Sequence, residues 1–332
     1  MLKIGSIIDG KYKILNKVGQ GGMSVVYLAM NEKANKQWAI KEVRKDGVKD
    51  FELIKQGLIV ETDMLKKLSH PSLPSIVDVI EDDNTFLIVM DYIQGNPLSK
   101  AIEEYGAQPQ DKVIKWAKQL CDVLGYLHTR TPAIIYRDMK PANVMLKPDG
   151  NITLIDFGTA REFKEKNLAD TTCLGTVGYA APEQFGGMGQ TDARTDIYCL
   201  GATLYHLVTG MNPCEPPYEI RPIREINPSL SSGLEKIILK CTQKNPDRRY
   251  ESMTALLADL RKALISPDED FVVIAPVSQE KTRVIGEEEI NKIKQETSNI
   301  YLSDEDVVSH NQNHRDKFEK RDRFEEDDED DE

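Results

Sequence analysis

Near residue 91 the chain changes its period, and this constrains the fold more than any other feature of the sequence. Before it, short β-branched and apolar runs alternate with turn signals. Residues 12–18, 24–29, 37–43, 75–80 and 86–90 predict strands of an antiparallel sheet, with a hairpin turn at 31–36. One helix interrupts them at 50–68, where Ile54, Leu58, Glu61, Leu65 and Leu68 recur at helical spacing until His70-Pro71 stops it. After Asp91-Tyr92-Ile93-Gln94-Gly95 the sequence reads as helices. Residues 111–128 carry Ile114, Ala117, Cys121, Leu124 and His128 on one stripe, widened by Trp116, Leu120 and Leu127. Residues 196–209 are apolar almost all round and predict a buried central helix, while 232–242 and 252–264 are amphipathic. The expected division is 1–90, sheet-rich, and 91–265, helix-rich.

Charge marks off a third part. Residues 266–332 hold 22 Asp/Glu against 9 Lys/Arg, which accounts for the chain's net −12 and leaves residues 1–265 close to neutral. This acidic tail has no stable periodicity and is expected to be disordered. The charge balance gives no reason to expect a nucleic-acid partner. Five cysteines, Cys121, Cys173, Cys199, Cys214 and Cys241, are widely spaced without a Cys-x-x-Cys pair, which fits reduced thiols in the cytosol. The opening residues contain no sustained apolar run, so no signal peptide is expected. The longest apolar stretch of the tail, 271–277, is far short of the ~20 residues of a membrane span. The reading is a cytoplasmic chain without a membrane span.

Gly19-Gln20-Gly21-Gly22-Met23-Ser24-Val25-Val26 lies between two predicted strands. A dinucleotide-binding turn would open a helix at its last glycine, so that reading is excluded. What remains is a glycine hairpin, either purely structural or one whose backbone N–H groups approach phosphates while Val26 covers a flat base. Fifteen residues beyond Val26 comes Lys41, in Ala39-Ile40-Lys41. A lysine on an interior strand needs an anionic ligand and a carboxylate partner. Glu61, on the inward stripe of the first helix, is the natural candidate.

Tyr136-Arg137-Asp138-Met139-Lys140-Pro141-Ala142-Asn143 is far more specific. Asp138 can accept a hydrogen bond from an incoming hydroxyl, Lys140 can neutralise a phosphoryl group in transfer, and Asn143 offers a carbonyl oxygen to Mg²⁺. Asp156-Phe157-Gly158 follows across a turn and a short strand, and brings a hard carboxylate to the same metal.

With these motifs in this order, the sequence resembles the eukaryotic-type protein kinase superfamily over roughly residues 8–265, and within it the bacterial Hanks-type serine/threonine kinases. Ala181-Pro182-Glu183, Asp196 in Asp-Ile-Tyr-Cys-Leu-Gly, and Arg249 in Asn-Pro-Asp-Arg-Arg complete the resemblance. It implies a two-lobed α+β fold, with a small antiparallel sheet-plus-helix lobe and a mainly helical one, and the use of ATP with Mg²⁺ (or Mn²⁺). Val18, Gly19, Gln20, Gly21, Gly22, Met23, Ser24, Val25 and Val26 would cover the nucleotide. The adenine would lie between Val26, Ala39 and Met145, with Met90 behind it and Asp91 and Ile93 in the hinge. Lys41, held by Glu61, would bind the α/β-phosphates, and Asn143 and Asp156 the metal. Asp138 and Lys140 would serve transfer, and Thr176 would dock the peptide. Arg249 would pair with Glu183, and Asp196 would brace the loop of Asp138. Lys140 and Thr176 imply protein serine/threonine substrates. A pseudokinase scaffold is disfavoured by the complete polar set, and a small-molecule kinase by Thr176 and Ala181-Pro182-Glu183.

Two departures from the family pattern stand out. Tyr136 replaces the usual histidine and is expected to pack against Phe157 provided its hydroxyl finds a partner. Ser24 replaces a glycine. Arg137 beside Asp138 calls for an anion, and Thr171 and Thr172 lie in the loop that would supply it as phosphothreonine, so autophosphorylation there is expected. Thr282, with Ile285 three residues on, matches a spacing favoured by phosphothreonine-binding domains.

Overall fold

Alternation along the strands decides which side chains line each face of the sheet. In the computed structural model, which describes residues 1–20, 24–44, 51–81, 85–157, 160–162, 175–185 and 190–265, six strands hydrogen-bond in the order β1-β2-β3-β4-β6-β5. They are β1 (Ile7–Ile8), β2 (Tyr12–Gln20), β3 (Ser24–Asn31), β4 (Lys36–Arg44), β5 (Ile76–Glu81) and β6 (Thr85–Asp91), with helix α1 (Phe51–Lys66) between β4 and β5. Every pairing is antiparallel. One face packs Tyr12, Ile14, Val25, Tyr27, Ala29, Trp38, Ile40, Leu87 and Val89 into a core. Residues directly opposite in an antiparallel pair share a face. The other face therefore carries the row Gly19, Val26, Lys41, Ile88 and the row Leu28, Ala39, Met90. Two register shifts bend β2, between Ile14 and Asn16 and between Lys17 and Gly19, just before the glycine hairpin.

Beyond β6 the chain makes β7 (Asn96–Pro97), α2 (Leu98–Tyr105), α3 (Gln110–His128), β8 (Ile134–Ile135), β9 (Val144–Leu146), β10 (Ile152–Leu154), β11 (Arg161–Glu162), α4 (Ala193–Thr209), α5 (Ile223–Ile226), α6 (Ser232–Cys241) and α7 (Met253–Ile265). This α+β arrangement agrees with the fold expected from the sequence. The whole predicted stripe of α3 is buried apart from its terminal His128, and Val113 and Val123 join it. Helix α4 is buried almost all round, as its composition predicts. It starts three residues before the predicted Asp196, because Asp192 and Thr195 form a reciprocal capping box.

Two close approaches fix the helical part. Gly201 of α4 lies under α6, where an added Cβ would stand 2.5 Å from that of Cys241. Gly95, at φ 142°, presses on β9 so closely that a Cβ would meet the Leu146 carbonyl oxygen at 2.1 Å. Only glycine satisfies both the conformation and the contact there. Pairing of Pro97 with Met145 continues this contact.

Candidate active site

Lys41 sits mid-strand on the face of the sheet that also carries Val26, Ala39 and Met90. Its Nζ lies 3.9 Å from Oδ1 of Asp156, contributed by the segment after β10. Asp156 adopts φ 65°, in the left-handed region. Such backbone strain concentrates at functional sites, where the surroundings over-determine it.

The surroundings here are well defined. The buried carboxylate of Asp196, in the first turn of α4, accepts the backbone N–H of Tyr136 at 2.9 Å and that of Arg137 at 2.7 Å. His128, at the end of α3, lies 2.7 Å from the same carboxylate. This clamp holds Arg137 at φ 70°. The Arg137 carbonyl in turn accepts from Nε2 of Gln184 at 2.7 Å. The loop that follows therefore leaves β8 in a fixed direction.

Asp138 is the hub of that loop. Its Oδ1 accepts from Thr176 Oγ1 at 2.9 Å, and its Oδ2 accepts from Lys140 Nζ at 2.9 Å and from Asn143 Nδ2 at 2.8 Å. Lys140 Nζ also reaches Thr176 Oγ1 at 2.7 Å, which closes the network. Asn143 Nδ2 donates a second bond to the Asp138 carbonyl at 2.9 Å. Both amide hydrogens are then engaged, so the oxygen is the part of Asn143 left to accept or to coordinate. A carboxylate from Asp156 and an amide oxygen from Asn143 are hard donors of the kind that suit Mg²⁺ or Mn²⁺.

Tyr136 meets the condition set by its sequence. Its ring packs edge-on against Phe157 with centroids 5.2 Å apart, and its hydroxyl donates to the Ile155 carbonyl. Burial pushes its phenol well above the ordinary value, with the carboxylates of Asp156, Asp138 and Asp196 acting in the same direction, so it remains a donor. The Ile155 N–H donates to the Asn143 carbonyl at 2.9 Å, so the segment carrying Asp156 is tied to the loop of Asp138 from both sides. Tyr136→Phe is expected to lower stability by ~1 kcal/mol, through loss of a donor to a buried carbonyl. Urea denaturation measures this, and an unchanged midpoint would show that the hydroxyl contributes nothing.

The segment from Gly175 to Phe185 faces this hub. Thr176 joins it directly, while Glu183 and Arg249 form a buried two-armed pair at 2.6 and 2.9 Å. Thr195 Oγ1 adds a bond of 2.8 Å to Glu183. Gln184, which the sequence reading missed, bonds both the Ala181 N–H and the Arg137 carbonyl.

The structure thus brings Lys41 and Asp156 together, and Asp138, Lys140, Asn143 and Thr176 together. Val26, Ala39, Lys41 and Met90 share one sheet face, and Met145 sits on β9 opposite Pro97 and Thr153. Val18, Ser24 and Val25 lie on β2 and β3 where the sequence puts them, whereas β2 runs on through Gly19 and Gln20, which the sequence placed in the hairpin. Asp91 ends β6, with Ile93 just beyond it. Partial burial works against ionisation of Asp91, but the Ser75 hydrogen bonds and Lys36 outweigh it and hold the carboxyl below its usual range. Glu61 falls on α1, with its side chain outside the described residues. So do Gly21, Gly22, Met23, Thr171, Thr172, Cys173 and Thr282. Among the described residues no helix is long and apolar enough to cross a membrane.

Together the fold and the site define a domain of the protein kinase type. Residues 12–260 match the family described as protein kinase domain, and the chain belongs to that family. It is 34% identical to a probable serine/threonine-protein kinase of Clostridium perfringens, over 80% of this chain and 40% of that protein. It is 32% identical to the serine/threonine-protein kinase PrkC of Bacillus subtilis, over 86% and 47% of the two. It is 31% identical to the serine/threonine-protein kinase PknB of Mycobacterium leprae, over 76% and 43%. The chain therefore spans less than half the length of these relatives.

Proposed function

We propose that this chain transfers the γ-phosphate of ATP to serine and threonine hydroxyls of proteins. The observation that carries the reading is the pair of hydrogen bonds at Thr176 Oγ1, donated to Asp138 and accepted from Lys140, which couples the segment assigned to peptide docking to the residues assigned to transfer. Residues 1–90 act as the nucleotide-covering lobe and 91–265 as the lobe for loop and substrate, with 266–332 an acidic tail.

The adenine lies between Val26, Ala39 and Met145, with Met90 behind it and the backbone of Asp91 and Ile93 along its edge. Lys41, paired with Glu61, holds the α/β-phosphates under the glycine hairpin. Asp156 and Asn143 would hold a divalent cation, taken here as Mg²⁺, which would supply positive charge to the phosphates. Asp138 takes the proton of the incoming hydroxyl as its oxygen bonds to the γ-phosphorus, and the bond to the β,γ-bridging oxygen breaks to release ADP. Lys140 offsets the charge on the phosphoryl group in transfer. Positioning and electrostatics then carry the rate. Autophosphorylation at Thr171 or Thr172 supplies an anion to Arg137. Thr282 serves as a docking phosphosite, and the chain works in the cytoplasm.

Incubation with radiolabelled ATP and a mixed protein substrate, with Mg²⁺ or Mn²⁺, followed by phosphosite mapping, tests this reading. Wild type is expected to label serine and threonine, including Thr171 or Thr172, and Lys41→Met to be slower by at least about a hundredfold. Equal labelling by the two would favour a scaffold, and labelling of small molecules alone a different substrate class. Absence of phosphate from Thr171, Thr172 and Thr282 would remove those sites.

A further inference from the structure

Tyr179 and His206 meet beneath the segment assigned to peptide docking. The last turn of α4 carries His206, whose carbonyl accepts the capping N–H of Gly210 at 2.9 Å. Its Nδ1 lies 2.5 Å from the Tyr179 hydroxyl, and the two rings stand 6.0 Å apart. Burial raises the Tyr179 phenol, helped by Cys214 and Glu215, and burial lowers the His206 imidazole against the opposing pull of Glu215. The phenol therefore keeps its proton and donates, and the neutral imidazole accepts through Nδ1.

This bond ends a short chain that starts at Asp138. The Tyr179 N–H donates to the Thr176 carbonyl at 3.0 Å and the Ala180 N–H to the same oxygen at 2.9 Å, so Thr176 to Ala180 form one closed turn. Thr176 then reaches Asp138 through its hydroxyl. The far side of the turn rests on the segment after α4. Cys214 Sγ donates to the Val177 carbonyl at 2.7 Å, and a Cβ on Gly178 would stand 2.6 Å from the Pro213 oxygen. Val177 itself is 40% exposed and offers an apolar edge beside the hub.

We propose that His206 is a positioning residue for the protein substrate. By accepting the Tyr179 hydroxyl it holds the turn in the register in which Thr176 meets Asp138 and Val177 faces the incoming polypeptide. This rests on the kinase reading above. The sheet-borne residues assigned to ATP form no hydrogen bond with Tyr179 or His206 among the described contacts, so loss of the bond falls on the protein substrate.

The test measures kcat and KM for dephosphorylated casein and for ATP with the full chain. His206→Leu and Tyr179→Phe are each expected to raise the casein KM by about tenfold, the effect of one buried hydrogen bond, and to leave the ATP KM within about twofold. The double variant is expected to be no worse than either single one. His206→Asn, whose carbonyl oxygen takes the place of Nδ1, is expected to recover most of the loss, and His206→Gln, which reaches the Nε2 position, to recover little. An asparagine variant no better than leucine, or an ATP KM rising in step with the casein KM, overturns the assignment. If His206→Leu does not fold, Tyr179→Phe and His206→Asn make the same comparison. A wild type that labels no casein overturns the kinase reading itself. An active wild type with unchanged casein KM in every variant overturns the positioning role alone.

Discussion

Asp138→Asn is expected to lower the rate of phosphoryl transfer by about a thousandfold without unfolding the protein. The magnitude is that of a positioned general base, whose removal lowers rates by roughly 10²–10⁴-fold. The fold survives because asparagine is nearly isosteric and can keep part of the network. Its oxygen can take the place of Oδ2, which accepts from Lys140 and Asn143, and its amide can face the Thr176 oxygen, which is able to accept. What it cannot do is take up a proton. Steady-state transfer to a protein substrate, with the thermal midpoint as control, measures both. Activity within tenfold of wild type would remove Asp138 from the role of base, and a lost midpoint would make it a structural residue.

Arg249→Ala carries the largest expected effect on stability, a loss of about 3–5 kcal/mol. The guanidinium is fully buried, reaches both oxygens of Glu183, and donates further bonds to the carbonyls of Gln243, Arg194 and Lys244. Truncation leaves an uncompensated carboxylate and three carbonyls short of a donor. The pair itself is not the source of that magnitude, since two desolvated charges roughly offset their own attraction. Replacing both partners, as Glu183→Leu with Arg249→Met, is therefore expected to restore most of the loss. Urea denaturation of the two variants decides this, and a double variant as unstable as Arg249→Ala would mean that the carbonyl bonds dominate.

Much of the site was legible because its residues are close in sequence or set by strand alternation. The spacing of Asp138, Lys140 and Asn143 puts all three on one loop. The alternation of β3, β4 and β6 puts Val26, Ala39, Lys41 and Met90 on one face once the pairing is antiparallel. What escaped has a weak local signal. Helix α2 buries only Leu98 and Ile102 across its eight residues, too little to establish a period. Strand β7 is two residues long and includes a proline, β1, β8 and β11 are equally short, and α5 has only four residues. Two supporting contacts of the loop were also hidden. His128 meets Asp196 across 68 residues and Gln184 meets Arg137 across 47, and neither separation leaves a pattern in composition. The partner of the Tyr136 hydroxyl turned out to be a backbone oxygen, which no side-chain motif announces.

The crowding at Gly95 also decides where the molecule can bend. On one side, Asp91 is fastened to the sheet through Ser75, whose N–H and carbonyl it engages at 3.0 Å each, and through Lys36. On the other, Gly95 is jammed against the Leu146 oxygen and Asn96 and Pro97 are laced to β9. Between these two anchors the chain passes through Tyr92, Ile93 and Gln94 alone, a joint barely longer than a single turn. Ile93 sits in the middle of it. A molecule gripping the backbone at that point would feel the angle between the two halves directly, and a larger residue at 95 would shift the angle with no change to Lys41, Asp138, Lys140, Asn143 or Asp156.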